Sequence, residues 1–185
     1  MYRDIIEFAQ GTPAWVHTFF EVGTDAGLLV FAALYVLAWW RARGGPVRDM
    51  AIVLVGPVAT VGAYVVSELV KIVVREERPC RGGLPTIAAC PVVGDWSFPS
   101  NHAVLAAGAA GTLIVAWRAL AWVVLPMAAL MAFSRVFVGV HYPHDVAAGF
   151  LLGLVLAPLL ALVLVGAVTP VVRRLREVRA LASVL

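Results

Sequence analysis

The chain is short of charge: only 14% of its 185 residues are Asp, Glu, Lys or Arg, while 62% are hydrophobic. Soluble domains are about half apolar, so a mean hydropathy of +0.94 excludes a soluble fold and leaves one integral membrane domain over residues 1–185. Lysine occurs once, as Lys71, and the net charge of +3 rests on arginines in loops and the C-terminal tail, which argues against a nucleic-acid surface. Low-complexity tracts and internal repeats are lacking. The N-terminus, Met1 to Glu7, has no basic region followed by an apolar run, so no cleavable signal peptide is expected. Cysteine occurs twice, at Cys80 and Cys90, with no histidine nearby, so a zinc site is not expected.

What is present is a series of apolar runs. Residues 3–21 mix aromatic and aliphatic side chains with Arg3, Asp4, Glu7 and His17, broken at Gly11-Thr12-Pro13, and read as short amphipathic helices in an interfacial segment, 1–21. Spans are expected over about 24–40, 50–71, 100–117, 119–138 and 144–168, with Thr169-Pro170 ending the last one and a tail over 170–185. The fold class is therefore all-α, a polytopic transmembrane helix bundle of about five spans. Residues 72–100, with four prolines, form a polar excursion outside the lipid. Gly108 and Gly111 in the third span predict close helix packing. Glu68, in the second span, is expected to be paired or near the polar rim.

A charged cluster interrupts the apolar pattern at Ser134-Arg135, then five residues to His141 and three more to Asp145. Ionisable residues at the rim of a span are costly unless they face a polar cavity, so the default reading is a functional site. Pro143 opens the next helix, placing Asp145 in its first turn and His141 just outside it. An imidazole hydrogen-bonded to that carboxylate keeps its other ring nitrogen free to attack an electrophile, which makes His141 the candidate nucleophile.

Two further stretches match this chemistry: Lys71, six residues, Arg78-Pro79, and Pro99-Ser100-Asn101-His102. Together the three resemble the signature of the type 2 phosphatidic acid phosphatase family, Lys-x6-Arg-Pro, Pro-Ser-Gly-His and Ser-Arg-x5-His-x3-Asp, with Asn101 standing where glycine is usual. The resemblance covers Lys71 to Asp145. It implies a metal-independent hydrolase of lipid phosphates with no cofactor. Lys71, Arg78, Ser100, Asn101 and Arg135 would hold the phosphate, His141 would become phosphorylated with Asp145 orienting it, and His102 would protonate the leaving oxygen. Geometry by itself says only that two histidines flank an anion site. His144 matches no catalytic position and reads as structural or rim-exposed. A metal centre of His102, His141, His144 and Asp145 is disfavoured by the surrounding cations.

All three stretches fall on one membrane face, while Arg41, Arg43, Arg48, Arg118 and the arginine tail fall on the other. The positive-inside rule then puts the site outside the cytoplasm of a bacterial cytoplasmic membrane. An oxidising compartment permits a Cys80–Cys90 disulfide worth about 3 kcal/mol by loop entropy; the alternative is two unlinked thiols. The expected partners are the bilayer and a lipid phosphate, with oligomeric state left open. Undecaprenyl or another polyprenyl diphosphate is the favoured lipid, since the short loops leave little for an elaborate headgroup. Phosphatidic acid, phosphatidylglycerophosphate and a decaprenyl-linked phosphoribose phosphate are alternatives. A vanadate-dependent haloperoxidase would share the phosphate cradle, and a non-catalytic lipid-binding or transport protein would share the fold.

Overall fold

A computed structural model describes residues 2–178, which form six α-helices: α1 (Tyr2–Gln10), α2 (Ala14–Ala42), α3 (Val47–Val74), α4 (Asn101–Ala116), α5 (Ala121–Phe137) and α6 (Pro143–Glu177). The all-α membrane bundle expected from the sequence is what forms. Four of these helices are long and apolar enough to cross a membrane. The fifth expected span, α4, has 16 residues and a length of about 24 Å, short of a hydrocarbon core of about 30 Å. It tolerates this because it is central. Ala103, Val104, Ala106, Ala107, Ala110 and Leu113 are fully enclosed, and α4 packs on α6, α3 and α5.

Small residues set that packing. Where α4 crosses α6, a Cβ on Gly153 would lie 2.2 Å from the Val104 carbonyl oxygen, and one on Gly149 would lie 2.5 Å from that of Ser100. Helix association in lipid depends on such close approach, because lipid is as apolar as the side chains. The contact at Gly149 also fixes where α4 begins, and so where Ser100 and His102 stand.

Two boundaries differ from the sequence expectation. Residues 14–21 are not a separate interfacial helix; the break at Gly11–Pro13 is real, but α2 begins at Ala14 and runs unbroken into the first span. Only α1 stands apart, and it docks on the α5–α6 connection. Ile6 and Ala9 are buried there, and Tyr2 Oη donates to the Gly139 carbonyl at 3.0 Å. Pro170 does not end α6, which continues to Glu177. Thr169 Oγ1 donates to the Val165 carbonyl at 2.6 Å beside the bond that proline cannot make, the way a hydroxyl commonly supports a proline-containing membrane helix. The tail over 170–185 is thus helical through Glu177, and Arg179 lies outside the described residues.

Arg176 reaches back from α6 to the α2–α3 connection, donating to the Gly45 carbonyl at 2.8 Å. One end of the bundle therefore gathers Arg41, Arg43, Arg48, Arg118 and the α6 arginines. The other end carries the long excursion, where Cys80 and Cys90 form a disulfide with Cα atoms 5.7 Å apart.

Gly153→Ala should destabilise the protein by about 1–3 kcal/mol, the usual cost of overpacking. Melting in detergent reads it, and an unchanged melting temperature would show that the α4–α6 crossing is not set by this contact.

Candidate active site

Four helix ends converge at the excursion-bearing end. Lys71 lies in the last turn of α3, Ser100 caps α4 with His102 in its first turn, Arg135 lies in the last turn of α5, and Asp145 opens α6. Between α5 and α6 the chain turns through Gly139, whose φ of 89° belongs to glycine. A Cβ there would stand 2.8 Å from Thr86. The turn leaves the His141 and Val140 N–H groups on the Arg135 carbonyl, each at 3.2 Å. His141 is 1% exposed and Asp145 fully buried.

Asp145 joins the pieces. Its Oδ2 accepts from Ser97 Oγ at 2.5 Å and from the Tyr142 N–H at 2.8 Å, closing a capping box, and lies 3.4 Å from His141 Nδ1. Its main-chain carbonyl accepts from Ser100 N at 3.0 Å, which ties the start of α6 to the start of α4. On the other side of the imidazole, Arg78 NH1 is 2.9 Å from His141 Nε2. A guanidinium only donates, so Nε2 holds the lone pair and the ring proton sits on Nδ1, toward Asp145. That is the tautomer a nucleophilic Nε2 requires.

The cations gather around this lone pair. Arg78 also donates to the Val140 carbonyl, and through Nε and NH2 to the carbonyl and Oδ1 of Asp95; Lys71 Nζ is 2.9 Å from the same Oδ1. Lys71 and Arg78 are each 4% exposed. Two donors in the cluster are buried without a hydrogen-bond partner, Ser100 Oγ and Arg135 Nε. Buried donors are almost always paired, so two of them in one cationic cluster make an arrangement suited to receiving an anion. The N–H groups of the first turn of α4 add a helix terminus, since Ser100 makes no side-chain cap.

Of the residues expected at the site, Lys71, Arg78, Ser100, Arg135, His141 and Asp145 come together. His102 lies within the fields of Arg78 and Arg135, the charges that also act on His141. Its Nε2 is 3.1 Å from Asp25 Oδ1 on α2. Asn101 does not point at the anion site; its amide is engaged by α3, donating to Glu68 Oε1 and accepting from Ser67 Oγ at 2.8 Å. Glu68 is paired, as expected, also lying 3.8 Å from Lys71. His144 is at the rim, its side chain 59% exposed, stacked on Tyr142 and with Nε2 shared between Glu76 and Asp145. These last three bring ligand-type atoms within 4.8 Å of one another, with the imidazole hydrogen-bonded to Glu76 Oε1 at 2.9 Å and 3.1 Å from Asp145 Oδ1. Asp25, Asp95 and Ser97 carry no motif spacing, and only folding the excursion and α2 onto the site reveals them.

Outside the spans, His141 and Asp95 are among the groups with displaced protonation equilibria. Burial pushes His141 down to about 3, with Arg78 and Arg135 adding to it against the opposing Asp145 hydrogen bond. Burial works to raise Asp95, but hydrogen bonds from Lys71 and Arg78, with their charges, outweigh it and hold the carboxyl below the usual range. A group depressed in the folded state contributes stability that is complete above its unfolded value and is lost as pH falls toward its folded one. For His141 that window runs from about pH 6.5 down to about 3. The melting temperature should therefore be flat above neutrality and fall below pH 6.5, and His141→Asn should flatten the decline between about pH 6.5 and 4. An unaltered decline would exclude this imidazole as its source.

Comparison with known proteins covers the stretch of chain that holds these residues. Residues 51–168 match the PAP2 superfamily. The chain is 39% identical over 141 residues to an undecaprenyl-diphosphatase of Sulfolobus acidocaldarius, covering 72% of this chain and 68% of that protein. It is 36% identical over 129 residues to a decaprenylphosphoryl-5-phosphoribose phosphatase of Mycobacterium tuberculosis, covering 69% of this chain and 66% of that one. The chain thus spans about two thirds of the length of these relatives. In fold, it superposes on the crystal structure of a transmembrane PAP2-type phosphatidylglycerolphosphate phosphatase from Bacillus subtilis with a TM-score of 0.59 at 22% identity, covering 95% of this chain and 87% of that one. The chain belongs to the PAP2 superfamily and is a membrane lipid phosphatase.

Proposed function

We propose that the protein removes the terminal phosphoryl group of a polyprenyl diphosphate, such as undecaprenyl diphosphate, through a phosphohistidine on His141 and without a metal. The observation that carries the chemistry is the pair of buried donors without partners, Ser100 Oγ and Arg135 Nε, in a cluster where His141 Nε2 presents its lone pair. Phosphoryl transfer is mostly positioning and charge stabilisation. Lys71, Arg78 and Arg135 supply charge, Ser100 and the start of α4 supply neutral donors, and Asp145 steadies the imidazolium that forms. Nε2 bonds to phosphorus as the bond from phosphorus to the leaving oxygen breaks, and His102 gives that oxygen a proton. Water then attacks the same phosphorus, its proton passing to His102, and the P–N bond breaks to return the lone pair to His141.

The Sulfolobus relative supports the polyprenyl diphosphate. The mycobacterial relative favours a second substrate, a decaprenyl-linked phosphoribose phosphate, which the same residues would serve. An apolar groove between α2 and α5 supports a lipid chain reaching the site sideways from the bilayer. It has a volume of 290 Å³, with Phe19, Phe20, Gly23 and Met131 on its walls together with Ser134, the neighbour of Arg135 in the chain. The arginine-rich end opposite the site, and the disulfide beside it, support an extracytoplasmic site in a bacterial cytoplasmic membrane.

The purified protein in detergent with EDTA should release phosphate from undecaprenyl diphosphate faster than from phosphatidic acid or phosphatidylglycerophosphate. His141→Ala should lower the rate by on the order of 10⁴ or more. Acid-labile, base-stable phosphate should be found on His141 after alkaline quenching of a turnover reaction. No release from the unmodified protein in EDTA would end the metal-independent reading, and release with no phosphohistidine would end the covalent one.

A further inference from the structure

We infer that Asp95 is a specificity-determining residue: its carboxylate is a resident counter-anion in the phosphate cradle, and displacing it makes the site favour diphosphates over monophosphates. The inference rests on reading Lys71 and Arg78 as phosphate ligands. Both cations are 4% exposed, and both give a charge-assisted hydrogen bond of 2.9 Å to one oxygen, Asp95 Oδ1. Buried cations without a partner are costly, and in the resting protein this carboxylate compensates them. It stands where a phosphoryl oxygen bound to both cations would stand.

The contact is built for exchange. Asp95 belongs to no helix, its side chain is 40% exposed, and a 420 Å³ cavity lined in part by Glu68, Ile72, Val92 and Trp96 opens beside it. Its main chain is held separately, the carbonyl by Arg78 Nε at 2.8 Å and the N–H by the Val92 carbonyl at 3.2 Å. The side chain can therefore leave while the loop stays in place.

A phosphate that takes over Lys71 and Arg78 exchanges two charge-assisted bonds for two of the same kind, with little net gain. The gain comes from donors the carboxylate leaves unused, Ser100 Oγ and Arg135 Nε. A diphosphate brings more charge and more oxygens to these donors than a monophosphate does. A monophosphate must displace Asp95 to be held at all, whereas a diphosphate can rest one phosphoryl group on Ser100 Oγ and Arg135 Nε while the carboxylate keeps its cations, so Asp95 subtracts more from the monophosphate.

The test titrates the full-length protein in detergent with inorganic phosphate and with methylenediphosphonate, whose P–C–P bridge resists hydrolysis. The unmodified protein should bind the diphosphonate more tightly. Asp95→Asn should tighten phosphate binding at least about tenfold, the size of one charge-assisted bond, and the diphosphonate by less, so the ratio of the two Kd values falls. Asp95→Glu should keep the ratio of the unmodified protein. An unchanged or weakened phosphate Kd in a folded Asn variant would overturn the inference, since the carboxylate would then be shaping the cradle rather than filling it; so would binding of neither probe by the unmodified protein. If the Asn variant does not fold, the structure of the unmodified protein with inorganic phosphate decides. Phosphate on Lys71 with Asp95 withdrawn beyond about 4 Å upholds the inference, and Asp95 still bonded to both cations overturns it. Binding is read without turnover, so failure here leaves the hydrolase reading intact, and failure to release phosphate from lipid leaves this result intact.

Discussion

The arrangement depends on one carboxylate. Asp145 is fully buried at the first turn of α6, and its side chain meets Ser97, the Tyr142 N–H and His141 while its main chain holds Ser100. A buried carboxylate is tolerated only when hydrogen bonds replace water, and here each replacement is also a piece of the site. The carboxylate caps a helix, anchors the excursion through Ser97 and fixes the His141 tautomer, while the main-chain carbonyl of the same residue joins α6 to α4. Folding and chemistry are coupled because a disturbance of Asp145 reaches all four at once.

The bundle beneath has to present this cluster without breaking the membrane rules. Charges at the rim are acceptable when they face inward and pair; Lys71 and Arg78 pair with Asp95, while Arg135 stands in the same cluster with its Nε unpartnered. The central helix can be short because neighbouring helices rather than lipid cover it, and the glycines of α6 let it approach within contact of main chain. Close packing thus serves position: Gly149 lies against Ser100 at the helix start that faces the anion site. A larger residue there would displace Ser100 before it unfolded a helix.

Much of this was legible in the sequence, for a physical reason. Lys71, Arg78, Ser100, His102, Arg135, His141 and Asp145 are charged or polar residues at the ends of apolar runs, where each is anomalous unless a site explains it. Hydropathy gave the spans for the same reason. What it missed lies where hydropathy is indifferent. The start of α2 is amphipathic enough to pass for an interfacial helix, and Thr169 makes Pro170 harmless by a hydrogen bond invisible to pattern. Asn101 holds the position of a cradle residue, yet Glu68 and Ser67 on α3 satisfy its amide better than an anion site made of hydrogen-bond donors can. Asp95, Ser97 and Asp25 could not be ranked above other polar residues until tertiary structure gave them partners.

The excursion between α3 and α4 then acquires a role that its composition does not suggest. The Cys80–Cys90 disulfide stands two residues beyond Arg78 and five before Asp95, and closes the loop between them. Arg78 grips that loop at its far side through the Asp95 carbonyl, and Ser97 follows it onto Asp145. The covalent link shortens the path between Arg78, the Asp95 carboxylate that neutralises it and Ser97, which donates to Asp145 beside His141. By limiting the conformations open to the unfolded segment, it lowers the entropy lost in assembling the three. The site is therefore assembled from two sources, helix ends positioned by lipid-facing packing and a loop positioned by its own closure, and Asp145 is the residue at which they meet.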